Sequence, residues 1–228
     1  MAVRSERRYA DAGYAERVGR LSGILAAMTN VNIDVIRMAL SEAEKGLQQL
    51  QKDPVKLGLI SDAAALLVDC FRNQGSVYSC GNGGSLCDAM HFAEELSGRF
   101  RHNRAPLAAI ALGDAAHMSC VANDFGYEQV FVRFVQAFAR PGDVLLAIST
   151  SGSSKNVLLA AEEARNRGMR VIALTGKPDS LIGDTADVCI CTPAGSYSDR
   201  VQELHIKVIH ILVELVERDL FAENYEGR

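Results

Sequence analysis

The sequence predicts an α/β domain built on a five-stranded parallel sheet with helices packed against it. Three observations predict this class. Short apolar runs of strand length alternate with stretches at helical spacing from residue 76 to residue 222, the order that gives parallel sheets with right-handed crossovers. The run Val144 to Ile148 is nearly continuous in apolar residues, as in a strand covered on both faces. Two turns rich in glycine or hydroxyl groups, Gly81–Ser85 and Ser149–Ser154, each follow a strand and precede a helix. Open α/β sheets bind their ligands at such junctions.

Taken in order, residues 1 to 27 are charged and weakly patterned and are expected to form a tail, with some helix. From Met28 to Gln51 the apolar positions Ile33, Ile36, Leu40, Ala43, Leu47 and Leu50 follow the 3.6-residue period of an amphipathic helix. Pro54 suits the first turn of a second helix running to about Gln74, which Gly75 ends. Two helices ahead of the first strand must cover a sheet edge or another subunit. Strands are expected at 76–80, 107–112, 144–148, 170–175 and 187–192. Helices are expected at 86–98, 115–122, 129–139, from about Val157 to Ala164, at 180–185 and at 199–222. Asn123–Asp124 reads as a polar break in a loop, Pro141–Gly142 as a turn and 194–198 as a loop. No internal repeat or low-complexity linker divides the chain, so 28–228 is expected to be one domain that includes the N-terminal helices 28–74.

Composition narrows the function. The 228 residues are 48% hydrophobic and 23% charged, an ordinary globular balance. A net charge of −4 gives no support for a nucleic-acid partner or an anionic membrane surface, so any anion site must be local. Charges interrupt every apolar run well short of a membrane span, and the basic N-terminus has no apolar core of the secretory type. A cytoplasmic protein is expected. The six cysteines lack the C-x-x-C spacing of redox and zinc motifs and are expected to be buried free thiols.

The residues that carry chemistry form four groups. The loop Ser149, Thr150, Ser151, Gly152, Ser153, Ser154 joins a buried strand to a helix N-terminus, where free N–H groups and the helix dipole favour an anion, expected to be phosphate. It lacks the Lys of GxxxxGK(S/T), which argues against nucleotide hydrolysis; a loop whose serines only cap the helix fits the same pattern. In GNGGS, three glycines around Asn82 let backbone approach a ligand, but the acidic residue of a dinucleotide fingerprint is missing. On the following helix His91 and Glu95, four apart and flanked by Asp88 and Glu94, share one face, a spacing that suits two ligands to one metal, a base held by an imidazole, or a surface ion pair. The last helix carries Asp199, Arg200, Gln202, Glu203, His205 and His210. His210, in VIHILVELV, is either a satisfied core histidine or an imidazole poised for acid–base work. Gln202 and His210 stand ~12 Å apart along the helix axis and off the same face, so one metal reaches both from a single helix only with stretched side chains, and a site using both is expected to draw on two subunits. Asp199 is a candidate N-cap or a neighbour of the imidazole.

Together the segments SCGNGGSLCDAMHFAEELSGRFRHNR (79–104), CVANDFGYE (120–128), GDVLLAISTSGSSKNV (142–157), VIALTGK (171–177) and DRVQELHIKVIHILVELVE (199–217) resemble the sugar isomerase (SIS) domain family. STSGSS marks that family broadly; HFAEEL with QELHIKVIH is similar to its phosphoheptose isomerases. The resemblance runs from about residue 31 to 218. It implies a SIS-type three-layer sandwich with two extra N-terminal helices, assembled as a homotetramer with active sites at subunit interfaces. It implies conversion of sedoheptulose 7-phosphate to D-glycero-D-manno-heptose 7-phosphate through an enediol, the first step of bacterial ADP-heptose or GDP-heptose synthesis, which feeds lipopolysaccharide. By position it implies substrate contacts from Asn82, Gly83, Gly84, Glu95, Asn123, Asp124, Ser149, Thr150, Ser151, Ser154 and Gln202. It implies zinc held by His91, Glu95, Gln202 and His210, with Glu95 and His210 as the acid–base pair. The sequence departs in its longer N-terminal tail and in the loop AGSYSDR. Two alternatives stay open: a non-catalytic SIS protein that binds the replication initiator, and a SIS isomerase of another sugar phosphate. The relatives of the first kind lack the glutamate and final histidine that stand here as Glu95 and His210.

Overall fold

A computed structural model describes residues 12–192, 195 and 197–226. The first eleven residues of the expected tail, residues 194 and 196 of the expected loop, and residue 193 before it lie outside the described residues. The elements are α1 (Ala12–Lys52), α2 (Pro54–Arg72), β1 (Val77–Gly81), α3 (Gly84–Ser97), β2 (Ala109–Ala111), α4 (Ala115–Phe125), α5 (Val132–Phe138), β3 (Val144–Ser149), α6 (Lys155–Asn166), β4 (Arg170–Thr175), α7 (Leu181–Thr185), β5 (Val188–Cys191) and α8 (Ser198–Leu220). Contacts divide the chain into two compact units, one ending at Glu42 and the other beginning at Ala43. In the first, α1 starts at Ala12, so the stretch 12–27 expected as tail is helical. Val18, Leu21, Leu25 and Met28 recur there at three- and four-residue steps, a spacing that the surrounding charges obscure. Farther along this unit Val31, Ile36, Met38 and Leu40 are exposed.

In the second unit the five strands pair in the order β2-β1-β3-β4-β5, every pair parallel. Both faces of the central strand are covered, so all six residues of β3 are buried, which explains its unbroken apolar run. Alternation divides its side chains. Val144, Leu146 and Ile148 face a core shared with α2, α3 and α8, whereas Leu145 and Ala147 face a core shared with α5 and α6. The result is the expected three-layer arrangement. Strand order reverses between β1 and β3, because the chain leaves β1 toward β2 and returns to the other side for β3. Such a switch point opens a crevice at the carboxyl ends of the two strands. The turns after β1 and after β3 are the Gly81–Ser85 and Ser149–Ser154 turns.

Local chemistry sets the helix ends. Asp53 caps α2 by accepting from Val55 N and Lys56 N, each at 3.1 Å, with Pro54 in the first turn. Two expectations are corrected. Helix α4 continues through Asn123 and Asp124 to Phe125, so these residues form its last turn and not a loop; Gly126, at φ 91°, ends it. Asp199 lies in the first turn of α8 beside Arg200, at 3.4 Å, and Tyr197 takes the cap position instead. Among the cysteines Cys70 and Cys80 are buried, Cys189 and Cys191 half-buried, and Cys87 and Cys120 exposed, so the expectation of six buried thiols fails for the last two. Both lie on outward-facing turns of their helices.

His205 of α8 is wholly buried, and neither ring nitrogen has a hydrogen-bond partner of good geometry among the described residues. Burial pushes its pKa down from 6.5 to about 4, opposed by the Thr175 backbone. Between these values the unfolded chain binds more protons than the folded one, so stability is lost as the pH falls. Denaturant unfolding is expected to show a loss of about 3 kcal/mol from pH 7 to pH 4 through this group. His205→Leu is expected to remove that part of the pH dependence. An unchanged pH dependence in the variant would contradict the assignment.

Candidate active site

The crevice at the switch point holds a cavity of about 320 Å³. Asn82, Gly83 and Gly84 line it from the turn after β1, Ser149, Thr150 and Ser154 from the turn after β3, and Ser198 and Gln202 from α8. Gly84 is required by packing: a Cβ there would lie 2.6 Å from Oε1 of Gln202. Gly152, at φ 67°, brings the serine loop onto Ser180, where a Cβ would come within 2.3 Å of another side-chain carbon.

The hydroxyls of the loop form a mesh. Ser149 Oγ donates to Ser154 Oγ at 3.0 Å, Ser149 and Ser151 hydroxyls lie 3.4 Å apart, and Thr150 Oγ1 donates to Ser198 Oγ at 3.2 Å. Ser154 occupies the N-cap position of α6 yet makes no capping bond with its side chain. The reading in which the serines merely cap the helix is therefore not what the fold shows. A helix N-terminus with free donors, ringed by hydroxyls, suits an oxyanion.

A second cluster sits farther along the same pair of helices. His91 Nε2 and Glu95 Oε1 of α3 lie 3.0 Å apart. His210 of α8 meets His91 edge to face, with ring centroids 5.0 Å apart, and Phe100 packs on it at 5.8 Å. One ligand atom from each of His91, Glu95 and His210 falls within 4.8 Å of the others, a group able to hold a metal ion. Two imidazoles and a carboxylate are donors suited to a borderline cation such as zinc. Burial holds the pKa of His210 below its ordinary value, helped by the neighbouring His91 and opposed by Glu95, so the ring is neutral near pH 7 and able to accept a proton. One turn before His91, burial raises Asp88 to about 6, opposed by His91 itself, and its Oδ2 is buried without a hydrogen-bond partner among the described residues.

The residues singled out from the sequence thus fall in separate places. His91, Glu95 and His210 come together within one chain, which sets aside the isolated surface pair and the ordinary core histidine. Gln202, two turns earlier on α8, stands instead at the serine-loop cavity, against Gly84. Asn123 and Asp124 are exposed on α4, joined by a 2.7 Å bond from Asn123 Nδ2 to Asp124 Oδ1.

Three supporting residues were not foreseen. Tyr127 Oη donates to Asn82 Oδ1 at 3.0 Å, Asn156 bonds Asn82 twice, and Arg104 binds the Glu95 carbonyl oxygen at 2.7 Å. Tyr127 and Asn156 lie in quoted segments, CVANDFGYE and GDVLLAISTSGSSKNV, but nothing in their spacing relates them to Asn82.

The SIS domain family model matches residues 40–176. A phosphoheptose isomerase of Enterobacter sp. (strain 638) is 55% identical over 187 residues, 82% of this chain and 97% of its own length. The structure of a phosphoheptose isomerase from Neisseria gonorrhoeae superposes with a TM-score of 0.74 at 37% identity, covering 81% of this chain and 97% of that one. That of a phosphoheptose isomerase from Francisella tularensis gives 0.77 at 34% identity, covering 82% and 98%.

Proposed function

Since the chain belongs to the SIS domain family and, within it, to the phosphoheptose isomerases, we propose that it converts sedoheptulose 7-phosphate to D-glycero-D-manno-heptose 7-phosphate. The observation that carries this reading is the convergence of His91, Glu95 and His210 on the helix pair that also walls the serine-loop cavity.

The loop Ser149, Thr150, Ser151 and Ser154 holds the phosphate, with the N-terminus of α6 behind it. Asn82, Gly83 and Gly84 take neighbouring oxygens, and Asn123 and Asp124 the sugar hydroxyls. At the other end of the substrate the Glu95 carboxylate removes a proton from C1. The C1–H electron pair forms the C1–C2 double bond as the carbonyl oxygen at C2 gains a proton, which leaves an enediol. Loss of the O1 proton and delivery of a proton to C2 then give the aldose. His210, neutral near pH 7, exchanges protons on the C2 side.

His91, Glu95 and His210 would hold a zinc ion, and zinc supplies Lewis acidity that polarises a carbonyl and orders the site. Gln202 would complete the ligand set. The two turns of α8 between Gln202 and His210 span about 12 Å, which supports a Gln202 contributed by a second subunit. A homotetramer with sites at subunit interfaces accommodates this, and the exposed apolar side chains of α1 support an assembly. Among the described residues no helix is long and apolar enough to cross a membrane, and all six cysteines are free, which supports a place in the cytoplasm at the start of heptose synthesis.

Purified protein given sedoheptulose 7-phosphate is expected to form the aldose phosphate. After chelation and dialysis turnover is expected to fall by about a hundredfold and to return with zinc. Turnover indifferent to chelation would remove zinc from the account, and no turnover in any metal state would remove the isomerase.

A further inference from the structure

Asn82 lies in the cavity wall, and what holds it is a closed pair of side-chain amides. Its Nδ2 donates to Asn156 Oδ1 and its Oδ1 accepts from Asn156 Nδ2, both at 2.9 Å. Asn156 is buried at the start of α6. An amide pair of this kind has two orientations, related by flipping both groups. Here the choice is forced, because the backbone N–H of Val157, which can only donate, points at Asn156 Oδ1 from 3.0 Å. With that oxygen fixed, the Asn156 NH2 must meet the Asn82 oxygen and the Asn82 NH2 must meet the Asn156 oxygen. Tyr127 Oη gives a further bond to the Asn82 oxygen.

We infer that Asn156 is a positioning residue which fixes Asn82 as a hydrogen-bond donor toward the bound sugar phosphate. Both acceptor positions of Asn82 Oδ1 are occupied, and one of its two N–H hydrogens is used. What remains for a ligand in the cavity is the other N–H, which matches a phosphate or hydroxyl oxygen and cannot accept from a donor. The pair also ties together the turn after β1, the turn after β3 and, through Tyr127, the segment following Asn123 and Asp124. Three regions proposed to contact substrate are thereby held in one register by three side chains.

The inference rests on the sugar-phosphate reading above, and a double-mutant cycle separates the two. Asn156→Ala is expected to raise KM about tenfold with kcat within about twofold, since the binding donor is lost while the acid–base pair is untouched. Asn156→Asp is the discriminating variant. It keeps the volume, still accepts from Val157, and stands in the first turn of a helix, where the dipole favours a carboxylate, so it is expected to fold with a Tm lowered by the buried charge, and a melt of each variant accompanies the kinetics. It cannot donate to Asn82 Oδ1, so its KM is expected to rise as far as that of the alanine variant. In an Asn82→Ala background both substitutions are expected to have no further effect on KM. Penalties that add to that of Asn82→Ala, or an Asn156→Asp protein with parental KM, would overturn the inference. If the parent protein does not turn over sedoheptulose 7-phosphate, the function proposed above fails on its own. The same cycle is then read from calorimetric binding of inorganic phosphate, where loss of coupling overturns the positioning role and its persistence supports it.

Discussion

Glu95→Gln is expected to lower kcat about a thousandfold while leaving the fold intact. The substitution keeps the shape of the side chain and a hydrogen-bonding partner for His91 Nε2, now 3.0 Å from the carboxylate. It removes only the ability to accept a proton. General base catalysis by a positioned side chain contributes about a hundred- to ten-thousandfold, so the loss belongs in kcat. The proposed phosphate site is the serine loop at the other end of the helix pair, so KM is expected to change little. The comparison needs steady-state kinetics, a thermal melt and a zinc titration, because Glu95 is also a proposed ligand. Undiminished turnover in the variant would remove Glu95 from the chemistry.

Arg104→Ala is expected to cost about 4 kcal/mol of stability, the value typical of breaking a buried ion pair from one side. The side chains of Arg104 and Glu217 are each only 1% exposed, with Nε and Oε1 2.9 Å apart. The guanidinium also donates to the carbonyls of Glu95 and Leu96, both at 2.7 Å, and to that of Gly98 at 3.2 Å. These carbonyls end α3 and have no partner within the helix, so Arg104 serves as a buried C-terminal cap beneath Glu95. Removing it strands the Glu217 carboxylate, which among the described residues keeps only the bond from Tyr225 Oη at 2.7 Å. The loss is a large part of the 5–15 kcal/mol that typically holds a domain. Urea unfolding gives the number, and a loss under about 1 kcal/mol would contradict the account. Arg104→Met combined with Glu217→Leu is expected to recover much of the stability, because an apolar pair leaves no buried charge.

The sequence shows the layers more readily than the partnerships. Strands β3 and β4 were legible to within a residue because a strand covered on both faces must be apolar throughout. The edge strand β2 was overestimated at 107–112, since only Ala109 to Ala111 pair with β1. The polar Asn123–Asp124 pair suggested a break because side-chain polarity marks turns, yet the backbone there stays helical until a glycine at positive φ releases it. The functional groups separate along similar lines. The spacing of His91 and Glu95 puts them on one helix face. Nothing local brings His210 to them from more than a hundred residues away; only the likeness to a family did so. For Arg104, Tyr127 and Asn156 the decisive contacts are set by packing between distant elements, and no period or motif encodes them.

Glu95 and His210 are proposed to move protons between C1 and C2 of a ketose phosphate through an enediol. Running the reaction in deuterium oxide and following the product by proton magnetic resonance tests this most directly. Protons that pass through side chains exchange with solvent, so the aldose 7-phosphate is expected to carry deuterium at C2, and Glu95→Gln to slow the appearance of product and label together by about a thousandfold. An aldose that carries at C2 the hydrogen that stood on C1 of the substrate, with no deuterium from solvent, would mean direct hydride transfer and would contradict the account.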